Sequence, residues 1–108
     1  MSYDVYLEIS TGGPEPADVF WRNMTSNVAP MWIRAGADLG AMGDARMRGD
    51  EVAPILRRAI REMAENPSVY RAMNPANGWG DYASCAEFLS TLADACEANP
   101  LCYLRVSR

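Results

Sequence analysis

The chain has 108 residues, which suits a single domain over 1–108 that buries a core without help from metals or disulfides. It contains no His and no Lys, and all ten cationic side chains are Arg, so it lacks the commonest general base, the commonest metal ligand and any lysine nucleophile. Fourteen acidic residues make the net charge −4, the wrong sign for a general nucleic-acid binder.

Membrane and targeting signals are missing as well. No apolar run approaches the ~20 residues that cross a bilayer, and the first residues, 1–4, lack the basic and apolar regions of a secretory signal. We therefore expect no membrane association and a cytoplasmic location. Because no catalytic motif brings the carboxylates together, we also expect a protein that is not an enzyme and that uses no metal and no cofactor.

Alternating apolar and polar side chains over 3–9 predict the first strand, since a period of two gives a strand one buried face. That face comprises Tyr3, Val5, Leu7 and Ile9. The Gly- and Pro-rich stretch 11–16 ends the strand, and a second strand is predicted over 17–22. Its Trp21 is interpreted as a core residue, as is Trp32 further on.

A first helix is predicted to begin near Thr25, Ser26 or Asn27, which are three alternative N-caps, and Pro30 fits its first turn. Its apolar stripe is formed by Val28, Trp32, Ala35 and Leu39. Gly40 is expected to stop this helix, and 41–49 is expected to be a loop.

A second helix is predicted from Asp50, with a charged outer face. Two ion pairs are expected on that face, Arg58 with Glu62 and Arg61 with Glu65. We therefore favour interpreting this Arg cluster as an ordinary charged helix surface over interpreting it as a nucleic-acid-binding patch. The apolar face of this helix comprises Val52, Ile55, Leu56, Ala59, Ile60 and Met63.

Three Asn-Pro pairs, at 66–67, 74–75 and 99–100, are expected to stop helices because Asn tolerates the left-handed conformation and Pro cannot continue a helix. A short helical turn is predicted over 68–73 and a long, well-buried helix over 81–98. The cysteines are interpreted as buried, unpaired residues; they are Cys85, Cys96 and Cys102.

Alternation after Pro100 predicts a final strand over 102–107. The predicted fold is therefore α+β, a small two- or three-stranded sheet with three main helices packed on one face. If the first and last strands are neighbours, Arg105 should lie near a carboxylate on the outward face. The outward residues that would then lie side by side are Asp4, Tyr6 and Glu8 with Tyr103, Arg105 and Ser107.

The stretch 74–82 sets a large aromatic among turn residues, and loops of this kind often carry function. Trp79, between two glycines, is interpreted either as a contact residue or as a plug against the sheet edge. Asp81 is also explained as an N-cap. The candidate interaction residues are Asn74, Asn77, Trp79, Asp81 and Tyr82.

The chain resembles a family of small uncharacterised proteins encoded by actinobacteria and especially by their phages. The resemblance rests on three segments in this order: 1–8, 25–32 and 74–82. The Lys-free composition agrees with a high-GC host. The resemblance implies a phage accessory protein in the host cytoplasm, and it brings no known activity and no functional residues.

The function expected from these observations is a non-catalytic phage protein that binds a host or phage protein. The alternative is a small-ligand or nucleotide-binding module, in which Trp79 or Tyr82 stacks on a ring and an Arg pairs with a phosphate or carboxylate. A homo-oligomer is a further alternative.

Overall fold

The sheet is antiparallel and has three strands in the order β2-β1-β3, with β1 over Ser2–Ile9, β2 over Ala17–Thr25 and β3 over Tyr103–Ser107. The computed structural model describes all 108 residues. The first and last strands are neighbours, as expected, and the second extends three residues beyond the predicted Arg22. The α+β class is confirmed.

The helical layer packs on one face of this sheet. It consists of a 3-10 turn over Ser26–Val28, α1 over Ala29–Arg34, α2 over Leu39–Asp44, α3 over Gly49–Glu65, α4 over Pro67–Arg71 and α5 over Tyr82–Ala98. The sheet and the helices share one hydrophobic core, to which the sheet contributes the buried side chains of Val5, Leu7 and Leu104. Trp32 is fully buried there, between the rings of Tyr3 and Phe88 at 5.1 and 5.6 Å.

The predicted first helix is two helices in the structure. Gly36 adopts φ +102°, a conformation that favours glycine, and ends α1. Asp38 then accepts a hydrogen bond from the Ala41 N–H and caps α2. Gly40 therefore lies inside a helix and does not stop one, and the predicted loop over 41–49 was wrong for its first residues.

The helix stops after α3 and α5 are confirmed, but the expected left-handed conformation was wrong. Asn66 and Asn99 both have φ −130°. Each instead turns its side-chain amide back and donates to a carbonyl oxygen four residues earlier, at 3.1 and 2.9 Å. The same carbonyl also accepts the backbone N–H of that Asn, so the side-chain amide adds a second hydrogen bond at the last turn of each helix.

The two expected ion pairs on α3, Arg58 with Glu62 and Arg61 with Glu65, do not form. The Glu62 carboxylate accepts hydrogen bonds from Asn66 and from the Tyr70 hydroxyl. The Arg that does pair is Arg57, which reaches across to α5. Its guanidinium donates to Asp94 at 2.6 Å and to Glu97 at 2.7 Å.

Two strand residues expected in the core are exposed. Trp21 is 56% exposed because it lies on the open face of the sheet, away from the helices, beside its cross-strand partner Tyr6. The pairing shifts between Leu7 and Glu8, so that Val19 has no partner on β1. Ile9 is exposed as well, at the end of β1. The three cysteines are buried and unpaired, as expected.

Candidate functional site

The loop between α4 and α5 is held at both ends by side-chain hydrogen bonds. Asn74 accepts from the Tyr82 N–H at 2.8 Å and so closes the loop. Asp81 accepts from the Ser84 N–H at 2.7 Å, and the Asp81 N–H donates to the Ser84 hydroxyl at 3.0 Å, which confirms the predicted N-cap. The Ser84 backbone bond lowers the pKa of the Asp81 carboxyl. Asn74 and Asp81 are therefore occupied in shaping the loop.

Tyr82 is an anchor of the same loop. Its hydroxyl donates to the Met63 carbonyl oxygen at 2.8 Å. Its ring stacks on Tyr70 at 6.5 Å between centroids, and the Arg71 guanidinium lies 5.3 Å from its centre. Because the ring and the hydroxyl already have partners within the chain, Tyr82 offers less free surface than its place in the loop suggested.

Trp79 stands at the tip of the loop and is 69% exposed, so the interpretation as a plug against the sheet was wrong. The backbone N–H of Trp79 donates to the Asn77 side-chain oxygen at 3.0 Å, and this bond fixes the turn. Gly80 has φ +85° and lies so close to the 3-10 turn that a Cβ there would come within 2.7 Å of Thr25. The backbone on both sides of the indole is thus held, while the indole itself faces solvent.

An open hollow of about 630 Å³ lies beside the indole, between the loop and one end of the sheet. Its lining has no charged side chain and is rich in amides and hydroxyls. The Asn27 side chain makes no hydrogen bond within the chain, and the Asn23 amide donates to the Ser2 hydroxyl at 3.0 Å. The lining residues are Met1, Ser2, Asn23, Thr25, Asn27, Asn77 and Trp79.

Sequence reasoning found Asn77 and Trp79 and missed the residues opposite them. Thr25 and Asn27 were interpreted only as helix caps, and Asn23 only as the end of a strand. The pairing of Asn23 with Asp4 across the hairpin was the available signal, since Asp4 belongs to the face of β1 that was predicted to point outward. Nothing in the sequence places 77–79 beside 23–27.

The second exposed tryptophan continues this surface over the open face of the sheet. The Trp21 indole N–H donates to an Asp4 carboxylate oxygen at 3.2 Å, and Asn23 donates to the same oxygen at 2.9 Å. The bond to Asp4 restricts the rotation of the Trp21 side chain on this face. The surface from Trp21 to Trp79 therefore passes through Asn23.

The side chains that could ligate a metal form no cluster, and the three thiols are buried. No group of three or more His, Cys, Asp or Glu side chains is placed to hold a metal ion. Burial raises the pKa of Cys85 to about 12. Burial is also the main reason that the pKa of Cys96 is raised to about 12. Both thiols are therefore protonated near neutral pH, when only the thiolate would react.

No protein-family model, curated protein or solved structure matches the chain. None of the helices combines the length and apolar character that crossing a bilayer requires.

Proposed function

We propose that this chain is a non-catalytic phage accessory protein that binds a host or phage protein in the host cytoplasm. The phage setting rests on the resemblance of segments 1–8, 25–32 and 74–82. The observation that supports binding is the indole of Trp79, which is 69% exposed on a loop whose backbone is held in place.

Exposed tryptophan on a held loop suits an interface hot spot. Burying an indole removes a large apolar area from water, and tryptophan is among the residues that most often dominate binding energy. The hydrogen bonds to Asn74 and Asn77 fix the loop before any partner arrives. Less conformational entropy is then lost on association, which favours affinity.

The lining of the hollow supports a protein partner over a nucleotide. A nucleotide site requires a cation or a set of backbone amides to hold phosphate, and no Arg lines this hollow. The free side-chain amide of Asn27 and the NH2 group of Asn77, beside an indole, suit an uncharged polypeptide segment that offers backbone groups and one apolar side chain. Tyr82, the other ring considered for stacking, is already covered by Tyr70 and Arg71.

The test is a binding measurement with a partner isolated from host lysate and then purified. Trp79→Ala should weaken the affinity about 30-fold or more, the equivalent of ~2 kcal/mol for a truncated aromatic hot spot. Leu101→Ala is the matched control, because Leu101 is also exposed but lies beyond the far end of α5, about 25 Å along the helix. Equal affinities for the two variants would contradict the proposal.

A thermal-shift screen with nucleotides and metabolites tests the alternative function. A saturable rise in melting temperature that Trp79→Ala abolishes would favour a small-ligand module, because a ligand at a hundredfold its Kd adds about 2.7 kcal/mol to stability. The proposed function expects no such rise.

A further inference from the structure

The two edges of the sheet differ in how they are protected. The outer edge of β3 is covered by the segment before α3, through hydrogen bonds from the Leu104 N–H to the Met47 carbonyl and from the Gly49 N–H to the Cys102 carbonyl, both at 2.8 Å. The outer edge of β2 has no backbone partner, since β2 pairs with β1 alone. Along this nine-residue strand, the N–H and C=O groups of the alternate residues that do not face β1 are therefore open.

Strand β2 also lacks most of the features that usually keep an edge from pairing. Natural edge strands are commonly short, or carry Lys, Pro or inward-pointing charges. This one is nine residues long, has no Lys or Pro within it, and exposes Val19 and Trp21. Its one charge on the helix side, Arg22, is paired with Glu87 within the same chain. Its bulge lies at Val19, near one end, so 20–25 remains regular.

We propose that the outer edge of β2 pairs antiparallel with β2 of a second copy of this chain, joining two three-stranded sheets into one of six strands. A twofold axis perpendicular to the sheet would relate the copies, so both open faces would lie on the same side. Such an arrangement closes on itself, as most soluble homo-oligomers do. This inference goes beyond the proposed function and does not depend on it.

The residues along β2 favour a second copy because they are complementary to themselves in one register. A register centred on Trp21 sets the two Trp21 rings opposite each other on the open face, where aromatic pairs across strands stabilise a sheet. On the other face it sets Phe20 opposite Arg22, a cation-π combination. A register centred on Arg22 would instead set two guanidinium groups opposite each other, which is unfavourable.

The same register covers exposed apolar area. Val19, which is 44% exposed, would lie opposite Asn23 of the second copy, and the two Trp21 rings would shield each other. The sheet edge would then gain main-chain hydrogen bonds that a single copy leaves to water.

Sedimentation analysis of the full chain, at concentrations up to about 1 mM, tests the pairing. The expected species is twice the chain mass of 11.9 kDa. Val19→Lys should raise the dimer Kd tenfold or more by placing a cation at the joined edge. Val69→Lys is the matched control, since Val69 is 39% exposed on α4, and it should leave the Kd unchanged.

Hydrogen exchange of the unmodified chain keeps the test independent of how the variants fold. The backbone N–H groups within 20–24 that face the outer edge should exchange faster on dilution, while those bonded to β1 and those of β1 itself should not change. A monomer at every concentration, a dimer that Val19→Lys and Val69→Lys affect equally, or protection of β2 that is independent of concentration would each overturn the proposal. Loss of a partner protein with Trp79→Ala would leave these results unaffected, so the two proposals fail separately.

Discussion

The guanidinium of Arg105 lies over the ring of Tyr6, 3.8 Å from its centre, on the face of the sheet that no helix covers. From this position its Nε donates to Glu8 at 2.9 Å and its Nη2 to Asp18 at 3.2 Å. Glu8 is only 4% exposed as a result, although it lies on the open face. Arg105 therefore covers and neutralises the Glu8 carboxylate, which confirms that a carboxylate lies beside Arg105. Because Glu8 is buried, we expect this pair to contribute more to stability than an exposed pair would.

Arg105→Ala should lower the free energy of unfolding by about 1 to 3 kcal/mol, because it leaves the Glu8 carboxylate with a single, longer contact to Arg46 at 3.6 Å. A pair between two exposed side chains would contribute almost nothing, so the size of the loss reports the burial of Glu8. Urea denaturation checks the value. Adding Glu8→Gln to the variant should recover part of the loss, and a change below about 0.5 kcal/mol would contradict the argument.

Trp79→Ala and Trp32→Ala should differ sharply in their effect on folding. Trp79 is exposed and we expect its removal to shift the melting temperature by no more than a few degrees. Trp32 is fully buried, and its removal should cost about 3 to 5 kcal/mol by leaving a cavity. Calorimetry of the two variants checks this, and an unfolded Trp79→Ala would refute the contact interpretation.

Gly80→Ala should be more destabilising than Gly78→Ala, although both glycines have positive φ. A Cβ at Gly78 meets nothing within 4 Å, so only backbone strain of about 1 kcal/mol applies. A Cβ at Gly80 would lie 2.7 Å from Thr25 and 2.8 Å from Val28, which forces the loop away from the 3-10 turn. Chemical denaturation compares the two, and equal losses would mean that the loop is not fixed by this contact.

Raising the pH from about 8.5 towards about 12 should steadily destabilise the fold. Burial raises the pKa of Cys85 and Cys96 to about 12, and burial with the Glu62 hydrogen bond raises the pKa of Tyr70 to about 12. Between the unfolded pKa and the higher folded pKa of each group, the folded chain keeps the proton that the unfolded chain has lost. The contribution of these groups to the free energy of unfolding is therefore complete below the unfolded pKa, and it is lost as the pH rises towards the folded pKa. Urea midpoints at several pH values measure this, and Cys85→Ala should show a shallower decline.

Leu104→Ala should cost about 2 to 5 kcal/mol, because the side chain is buried between β1 and the helices. Leu101→Ala removes the same atoms from an exposed position, three residues earlier, and should change stability by less than about 0.5 kcal/mol. Similar losses for the two would argue against β3 as part of the core sheet.

The strands and long helices were predictable because their patterns are local. The alternation in β1 and the stripe of α5 each repeat often enough to define a buried face. The break at Gly36 was missed because Ala35, Ala37 and Leu39 continue an apolar pattern through it. A pattern of apolar residues does not reveal a positive φ, and Gly40 offered an equally good stop nearby.

The candidate site was only partly predictable, for a different reason. Trp21 was assigned to the core because it lies on a predicted strand and tryptophan is usually mostly buried. Its true direction follows from its pairing with Tyr6, and the local pattern of β2 does not specify that register. The hollow likewise joins residues from two distant segments, 23–27 and 77–79.

The position of β1 in the middle of the sheet has a consequence for synthesis. Arg105 and Glu8 are 97 residues apart in the chain, yet they meet across two neighbouring strands. While the ribosome is still adding residues, β1 has only its hairpin partner, and a two-stranded hairpin alone is marginally stable. We expect the nascent chain to stay protease-sensitive until β3 has left the exit tunnel and paired with β1.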